Sequence, residues 1–364
     1  MDYNSAISQR IALLRFLMIF GIVLLHAPPY VPITEVGNHP FDLIKAFFQL
    51  AVFRTTVPVL TCISGYLLFR SMLDRAPLKL AQKKFRTIVI PFLVFNLGLL
   101  VGVVALHYGL GLSLGEDKIP KSQVGWLNAA FGLTDSPINY PLNFLRDLVA
   151  LMIAAPVLGW FLRNSPWIGL AIVGLIYQFN LDNAFLLRNV MLPVFYVGGL
   201  AAVRDWNLRS FDRYALLCFA LFIGLCVYVI AFRVANTNIF RMVAPLLMWP
   251  ATALLLPTTF GRWLTQMSKY SFFVFLAHAP VLLVTSLLYK PFANHIPYPL
   301  YWVLTPVLTT AMLVLVYKLA MRTLPGYFRF AIGATPAPGT LPGKVRPGGG
   351  NNERSSVERE RVSS

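Results

Sequence analysis

The chain has 364 residues, of which 57% are hydrophobic and only 12% are charged, and its mean hydropathy is +0.66. A water-soluble domain carries about a quarter of its residues as charged side chains, so this composition excludes a soluble globule, and its hydrophobicity excludes a disordered chain. The net charge of +17 first suggests nucleic acid, but the charges are too sparse along long apolar runs to build a phosphate-binding face. We therefore predict a polytopic membrane protein with no nucleic-acid partner.

Ten apolar stretches follow one another along the chain, separated by polar or Pro/Gly-rich breaks. Most approach the ~20 residues that a helix needs to cross the hydrocarbon core, whereas a β-barrel would show alternating segments of about ten residues. The sequence thus predicts an all-α bundle of about ten transmembrane helices. The predicted spans are 11–27, 55–72, 88–106, 142–162, 166–181, 189–203, 214–232, 239–256, 271–288 and 300–321, of which the fifth and sixth are the shortest.

Two further segments differ from these spans. The apolar segment Phe41 to Phe53 is only 13 residues long and follows a proline, which favours an interfacial or re-entrant helix. Residues 334–364 are rich in proline, glycine and mixed charge, so we expect a disordered cytoplasmic tail after a transmembrane domain at 1–333.

Basic residues predict the orientation of the chain. With the N-terminus in the cytoplasm, the inside loops hold twenty lysines and arginines and the outside loops hold eight. Because cationic loops resist translocation, we expect both termini in the cytoplasm of a bacterial inner membrane. The three cysteines and five histidines show no metal-ligand spacing, so no metal site is expected.

Charged residues inside a span cost on the order of 2.5–3.5 kcal/mol each, and Arg15 is the clearest case here. His26 follows eleven residues later, which places both side chains on one helix face about 16 Å apart along the axis. Each has a simpler explanation, snorkelling for Arg15 and an interfacial position for His26. Their shared face favours a functional pair at the two ends of an elongated site.

Several motifs occur in one order along the chain. Arg15, ten intervening residues and His26 resemble the Arg-x10-His signature of the acyltransferase-3 family of integral-membrane acyltransferases. The other matching stretches are Val57–Leu68 with its Ser-Gly-Tyr element, the basic run Lys83–Arg86 with Pro91, Asn143–Leu148 with Asn where Trp is usual, and Ser271–Pro280 with Phe275 where Tyr is common. Within the family, the chain most resembles the xanthan-type O-acetyltransferases of exopolysaccharide synthesis.

The resemblance implies acyl-CoA as a co-substrate, with no bound cofactor, and a sugar hydroxyl of a polysaccharide or lipid-linked oligosaccharide as the acceptor at the membrane lipid. A hydroxyl becomes a good nucleophile when a base removes its proton, and histidine has a suitable pKa near neutrality. We therefore predict His26 as the general base. Arg15 is predicted to hold an anionic or carbonyl part of the acyl donor.

The other candidate residues each have a structural alternative. Ser64 is a candidate donor contact, although small residues also pack transmembrane helices. Lys83, Lys84 and Arg86 are candidates for the phosphates of CoA, although the positive-inside rule also explains them.

Near the outer end of the fourth span, Arg146 and Asp147 could contact the acceptor or form an internal ion-pair network, and their adjacency predicts separate partners. His278 is either a hydrogen-bonded helix contact or a second catalytic imidazole. The predicted function is transfer of an acetyl or other short acyl group to an exopolysaccharide hydroxyl, and the alternative is a glycolipid transporter or flippase. A sensor or scaffold would leave Arg15 and His26 without a shared role.

Overall fold

The computed structural model describes residues 3–111, 119–183 and 185–334, and the regular structure in these ranges is entirely helical. The α-helices are α1 (Tyr3–Leu25), α2 (Pro40–Ala46), α3 (Thr56–Arg70), α4 (Pro77–Lys84), α5 (Ile90–Leu110), α6 (Gln123–Phe131), α7 (Asn143–Asn164), α8 (Pro166–Gln178), α9 (Met191–Val203), α10 (Ala215–Ala231), α11 (Asn238–Ala251), α12 (Thr259–Met267), α13 (Ser271–Tyr289), α14 (Tyr298–Thr323) and α15 (Pro325–Ala331). The predicted tail lies outside the described residues.

Seven helical stretches among the described residues are long and apolar enough to cross a membrane, which confirms an all-α polytopic membrane protein. They are Asn4–Leu25, Pro40–Arg70, Pro77–Gly109, Tyr140–Asn164, Asp212–Ala231, Thr259–Phe292 and Tyr298–Thr323.

The predicted count of about ten spans is not confirmed. Helices α8 and α9 have 13 residues each and α11 has 14. At 1.5 Å per residue, such helices are about 20 Å long, which is shorter than the ~30 Å hydrocarbon core. Hydropathy alone predicted these three short helices as spans, although their lengths fall below the thickness of that core, and of α8 and α9 only α9 is mostly buried.

The apolar segment 41–53 does not form a separate interfacial helix. Helix α2, a π-helical turn at Phe47–Ala51 and a 3-10 turn at Val52–Thr55 run directly into α3. Together they form one helical stretch of 31 residues. The wider turns change which side chains face inward, and Gln49 in the π-helical turn is buried.

Helix α9 lies inside the bundle, because ten of its 13 residues are buried. Glycines allow it to approach α3 closely. A Cβ atom on Gly65 would lie 2.2 Å from the carbonyl oxygen of Phe195, and one on Gly198 would lie 2.0 Å from that of Cys62. The two backbones are therefore in direct contact, as small residues permit in membrane helix pairs.

Helix α1 is held at its first turns by a buried ion pair. The Arg10 guanidinium donates two hydrogen bonds of 2.8 Å to the two carboxylate oxygens of Asp212 and lies over the ring of Trp249. Arg10 is 2% exposed, so this bidentate pair is well shielded from water. It fixes the helix that carries Arg15 and His26.

Candidate active site

Two histidines from distant helices meet at the end of α1. His26 lies one residue beyond α1, and its backbone amide still donates to the Ile22 carbonyl, so the helical turn continues through it. His278 lies within α13 and is fully buried. Its Nε2 lies 3.4 Å from His26 Nδ1, and the ring centroids are 5.4 Å apart. The structure thus brings the two predicted histidines into contact.

Backbone carbonyls determine which ring nitrogens carry protons. His26 Nδ1 is 2.9 Å from the Ile22 oxygen, and His278 Nδ1 is 2.8 Å from the Phe275 oxygen. A carbonyl oxygen only accepts, so each Nδ1 is the donor and each neutral ring has its lone pair on Nε2. The lone pair of His278 faces His26 Nδ1–H, while Nε2 of His26 is left to accept a proton.

The C-terminal end of α1 is held by side chains from the stretch before α3. Gln49 is buried, and its Nε2 lies 2.8 Å from the Ala27 oxygen, 3.2 Å from that of Leu24 and 3.4 Å from that of Leu25. Lys45 donates to the Pro29 oxygen at 2.7 Å. The Leu24 carbonyl also accepts from the Ala27 amide at 3.1 Å, and the side-chain contacts supply donors to the carbonyls that follow it, which fixes the backbone around His26. No local sequence signal marks Gln49 for this role.

His26 lies between two cavities that share Tyr140 and Pro141 as walls. One cavity has a volume of about 240 Å³ and is lined mainly by apolar side chains of α5 and α13. The other has a volume of about 220 Å³, and its walls include the side chains of Arg54, Arg188 and Arg241. The imidazole therefore lies where groups bound in two separate cavities could meet.

The wall at Tyr140 is fixed by a buried amide network. Asn96, within α5, donates to the Ala129 oxygen at 2.8 Å and accepts from the backbone amide of Asn139 at 3.0 Å. The Asn139 side chain donates to the Leu276 oxygen at 3.3 Å. The network ties the segment before α7 to both α5 and α13, which positions the Tyr140 ring 6.1 Å from that of His26.

Arg146 and Asp147 form an ion pair with each other and also have separate partners, which is the internal network that the sequence left as one alternative. Arg146 Nη1 is 3.0 Å from Asp147 Oδ1. Arg146 also donates to the Gly132 and Leu133 carbonyls, and Asp147 accepts from the Leu187 amide at 3.0 Å. The pair thus holds the segment around Phe185 and Leu187. This segment leads directly to Arg188, which lines the smaller cavity.

The amino-acid sequence of the chain matches one protein family. The family defined by an acyltransferase domain, acyltransferase-3, matches residues 9–320. The chain belongs to this family. It is also similar to a succinoglycan biosynthesis protein, ExoH of Rhizobium meliloti (strain 1021), with 31% identity over 344 residues, 89% of this chain and 91% of the relative. No solved structure matches the chain.

In this acyltransferase, the predicted donor residues lie away from the histidine pair. Arg15 is exposed on α1, and Lys84, at the end of α4, lies within electrostatic range of it. Lys83 and Arg86 are exposed nearby in sequence. These cations have no carboxylate within ion-pair distance among the described residues, so they are available to an anionic ligand.

Ser64 of the acyltransferase has its hydroxyl bonded to its own helix. It donates to the Leu60 oxygen at 2.8 Å, and the neighbouring Gly65 forms the close contact with α9. This part of the motif therefore serves helix packing in the structure, and a donor contact by Ser64 stays a prediction.

A third cavity lies along the first half of α1. It has a volume of about 740 Å³, is mainly apolar, and is lined by Ile11 and Leu14 together with residues of α3, α9 and α11. Helix α1 thus borders a large apolar cavity in its first half and the two small cavities at His26. Arg15 lines none of these three cavities, so an elongated site between Arg15 and His26 stays a prediction.

Proposed function

We propose that this acyltransferase transfers an acetyl or other short acyl group from acyl-CoA to a hydroxyl of a lipid-linked or nascent exopolysaccharide. Family membership supports acyl transfer over the glycolipid transporter that the sequence left as an alternative. The similarity to a succinoglycan biosynthesis protein supports an exopolysaccharide acceptor. The observation that carries the proposal is the orientation of His26, whose Nε2 is free at the junction of two cavities.

In the proposed reaction, His26 Nε2 removes the proton of the sugar hydroxyl as its oxygen attacks the thioester carbonyl. The tetrahedral intermediate collapses, the carbon–sulfur bond breaks, and the departing CoA thiolate takes the proton from the imidazolium. Throughout, His26 Nδ1–H stays bonded to the Ile22 carbonyl, and the neutral Nε2 of His278 supports the developing cation. Positioned acid–base catalysis of this kind contributes about 10²–10⁴-fold.

Donor binding is proposed away from His26, around Arg15 in the middle of α1. Arg15, Lys83, Lys84 and Arg86 would receive the phosphates of CoA, because phosphate oxygens form charge-assisted hydrogen bonds with such side chains. The acyl end of the donor would then extend along α1 toward His26. We also propose an inner membrane with both termini in the cytoplasm, which needs an even number of crossings and therefore crossing by an odd number of the shorter helices α8, α9 and α11 besides the seven long stretches. The donor then enters from the cytoplasm, and the acceptor reaches His26 from the outer side.

The test compares two histidine variants in membranes supplied with acetyl-CoA. His26→Ala should lower acyl transfer by at least ~100-fold at matched membrane abundance, because the base is lost. His295→Ala is the control, since that histidine is exposed and lines neither cavity at His26. The readouts are CoA release and the acyl content of the cell's polysaccharide. Near-normal transfer by His26→Ala would end this mechanism.

A further inference from the structure

Three arginines converge on the smaller cavity beside His26. Arg54 lies just before α3, Arg188 lies shortly before α9, and Arg241 lies in the first turn of α11. All three line the 220 Å³ cavity, and no carboxylate is among the described residues that line it. Arg54 and Arg188 are also within electrostatic range of His26 and of Arg241.

The partners of these guanidinium groups are neutral. Arg54 donates to the Tyr30 hydroxyl, Arg188 lies over the Tyr140 ring, and Arg241 donates to the Asn238 side chain at 3.2 Å. The Nε of Arg241 is buried without a hydrogen-bond partner. Among the described residues, no carboxylate lies within ion-pair distance of any of the three.

Three like charges in a half-buried cavity are unfavourable unless something neutralises them. Arg146, nearby in the fold, shows the contrast, because its charge is balanced by Asp147 and its other donors reach carbonyls. The cavity arginines have donors left over and no anion. A single oxyanion that develops during acyl transfer would not need three guanidinium groups, so the cluster indicates a permanent negative charge on a bound molecule.

We propose that Arg54, Arg188 and Arg241 form a subsite that binds a carboxylate of the substrate while acyl transfer occurs at His26. The planar guanidinium fork matches a carboxylate, and its hydrogen bonds are charge-assisted. The carboxylate belongs either to the far end of a dicarboxylic acyl group or to an acidic sugar of the acceptor. The inference rests on the proposed function, because it assumes that the acyl carbon and the hydroxyl meet at His26.

The experiment uses matched probes that differ only in this charge. The donors are butyryl-CoA and succinyl-CoA, which have four-carbon acyl chains, and the acceptors are a neutral oligosaccharide and its uronate-containing counterpart. Membranes with the full-length chain are assayed for CoA release and for acylated oligosaccharide by mass spectrometry. The variants are Arg188→Gln, Arg241→Gln and the charge-retaining Arg241→Lys. Lys290→Gln is the control, since Lys290 is exposed and lines neither cavity at His26.

We expect each glutamine variant to lower kcat/KM for the carboxylate-bearing probe by about tenfold or more, the effect of losing a hydrogen bond to a charged group. The neutral probe should change less, because only the effect of the removed charge on His26 applies to it. The control variant should change little, and Arg241→Lys should retain part of the preference. A loss confined to succinyl-CoA assigns the carboxylate to the donor, and a loss confined to the uronate assigns it to the acceptor.

Equal losses for charged and neutral probes would overturn the subsite and leave the proposed function standing. Absence of CoA release and of transfer in the unmodified chain, at normal abundance, would overturn the proposed function and the subsite with it.

Discussion

The contact between α3 and α9 predicts a sharp difference between glycines in similar helices. In Gly65→Ala the new methyl group would lie 2.2 Å from the Phe195 oxygen, whereas real Cβ atoms essentially never approach closer than 3.0 Å. The obstacle is backbone and cannot rotate away, so the helices must separate by about 1 Å. Overpacking of this kind costs about 1–3 kcal/mol. For a chain of this size we expect Tm to fall by about 1 to 4 °C.

The matched control is Gly98→Ala in α5, where nothing lies within 4 Å of the added methyl group. Alanine there should be neutral or stabilise the helix by about 0.5–1 kcal/mol. Thermal unfolding of both variants in the same detergent, with Gly198→Ala as a second disruptive change, gives the comparison. If Gly65→Ala is as stable as Gly98→Ala, the direct backbone contact is not what holds α3 against α9.

Three further changes probe the site and its surroundings. Gln49→Leu removes the side-chain donor to the Leu25 and Ala27 carbonyls, so kcat should fall more than KM changes, with a stability loss of about 1–3 kcal/mol. An unchanged kcat at matched abundance contradicts this. His278→Phe keeps a ring but removes the hydrogen-bond acceptor beside His26. Acyl transfer measured by CoA release should fall by about tenfold, which is less than the loss expected for His26→Ala. A loss as large as that of His26→Ala would show that His278 is as important to the reaction as His26. Burial raises the pKa of Asp182, whose carboxylate oxygens have no side-chain hydrogen-bond partner. Asp182→Asn should therefore raise Tm at pH 7, and the gain should shrink as the pH falls through the raised pKa of the folded carboxyl and vanish below about 4, where the unfolded carboxyl is also protonated. A gain in Tm that did not depend on pH would show that the charge of Asp182 is not its cause.

The sequence predicted the class of fold because hydropathy reports directly on burial in lipid. The predicted number of spans is not confirmed, because the short helices α8 and α9 have the apolar composition of the longer spans but not the length that crosses the hydrocarbon core. Nor did the sequence predict that the segment around Gln49 continues into α3. That continuation depends on a π-helical turn that packs against α1, and this is a tertiary contact with no local signal.

The helical repeat of 3.6 residues per turn predicted that Arg15 and His26 share one helix. It could not predict the contact between His26 and His278, which is 252 residues away in the sequence. The cavity arginines did have a signal. They were counted among the eight basic residues of the predicted outside loops, where the positive-inside rule leaves few. Arginines that occur in predicted outside loops, contrary to the positive-inside rule, and lie next to the start of a helix are therefore candidates for binding an anionic ligand.

The position of His26 at the C-terminal end of α1 has an electrostatic consequence for the proposed reaction. The aligned peptide dipoles of a helix place about half a negative charge at this end, which stabilises a cation there by roughly 0.3–1 kcal/mol, and up to ~2 in partly buried sites. Burial disfavours the imidazolium formed during proton transfer most, and His278 and the nearby guanidinium groups add to this. The end of α1 therefore offsets part of the cost of charging His26, and it does so only because the base lies at the C-terminal end of its helix.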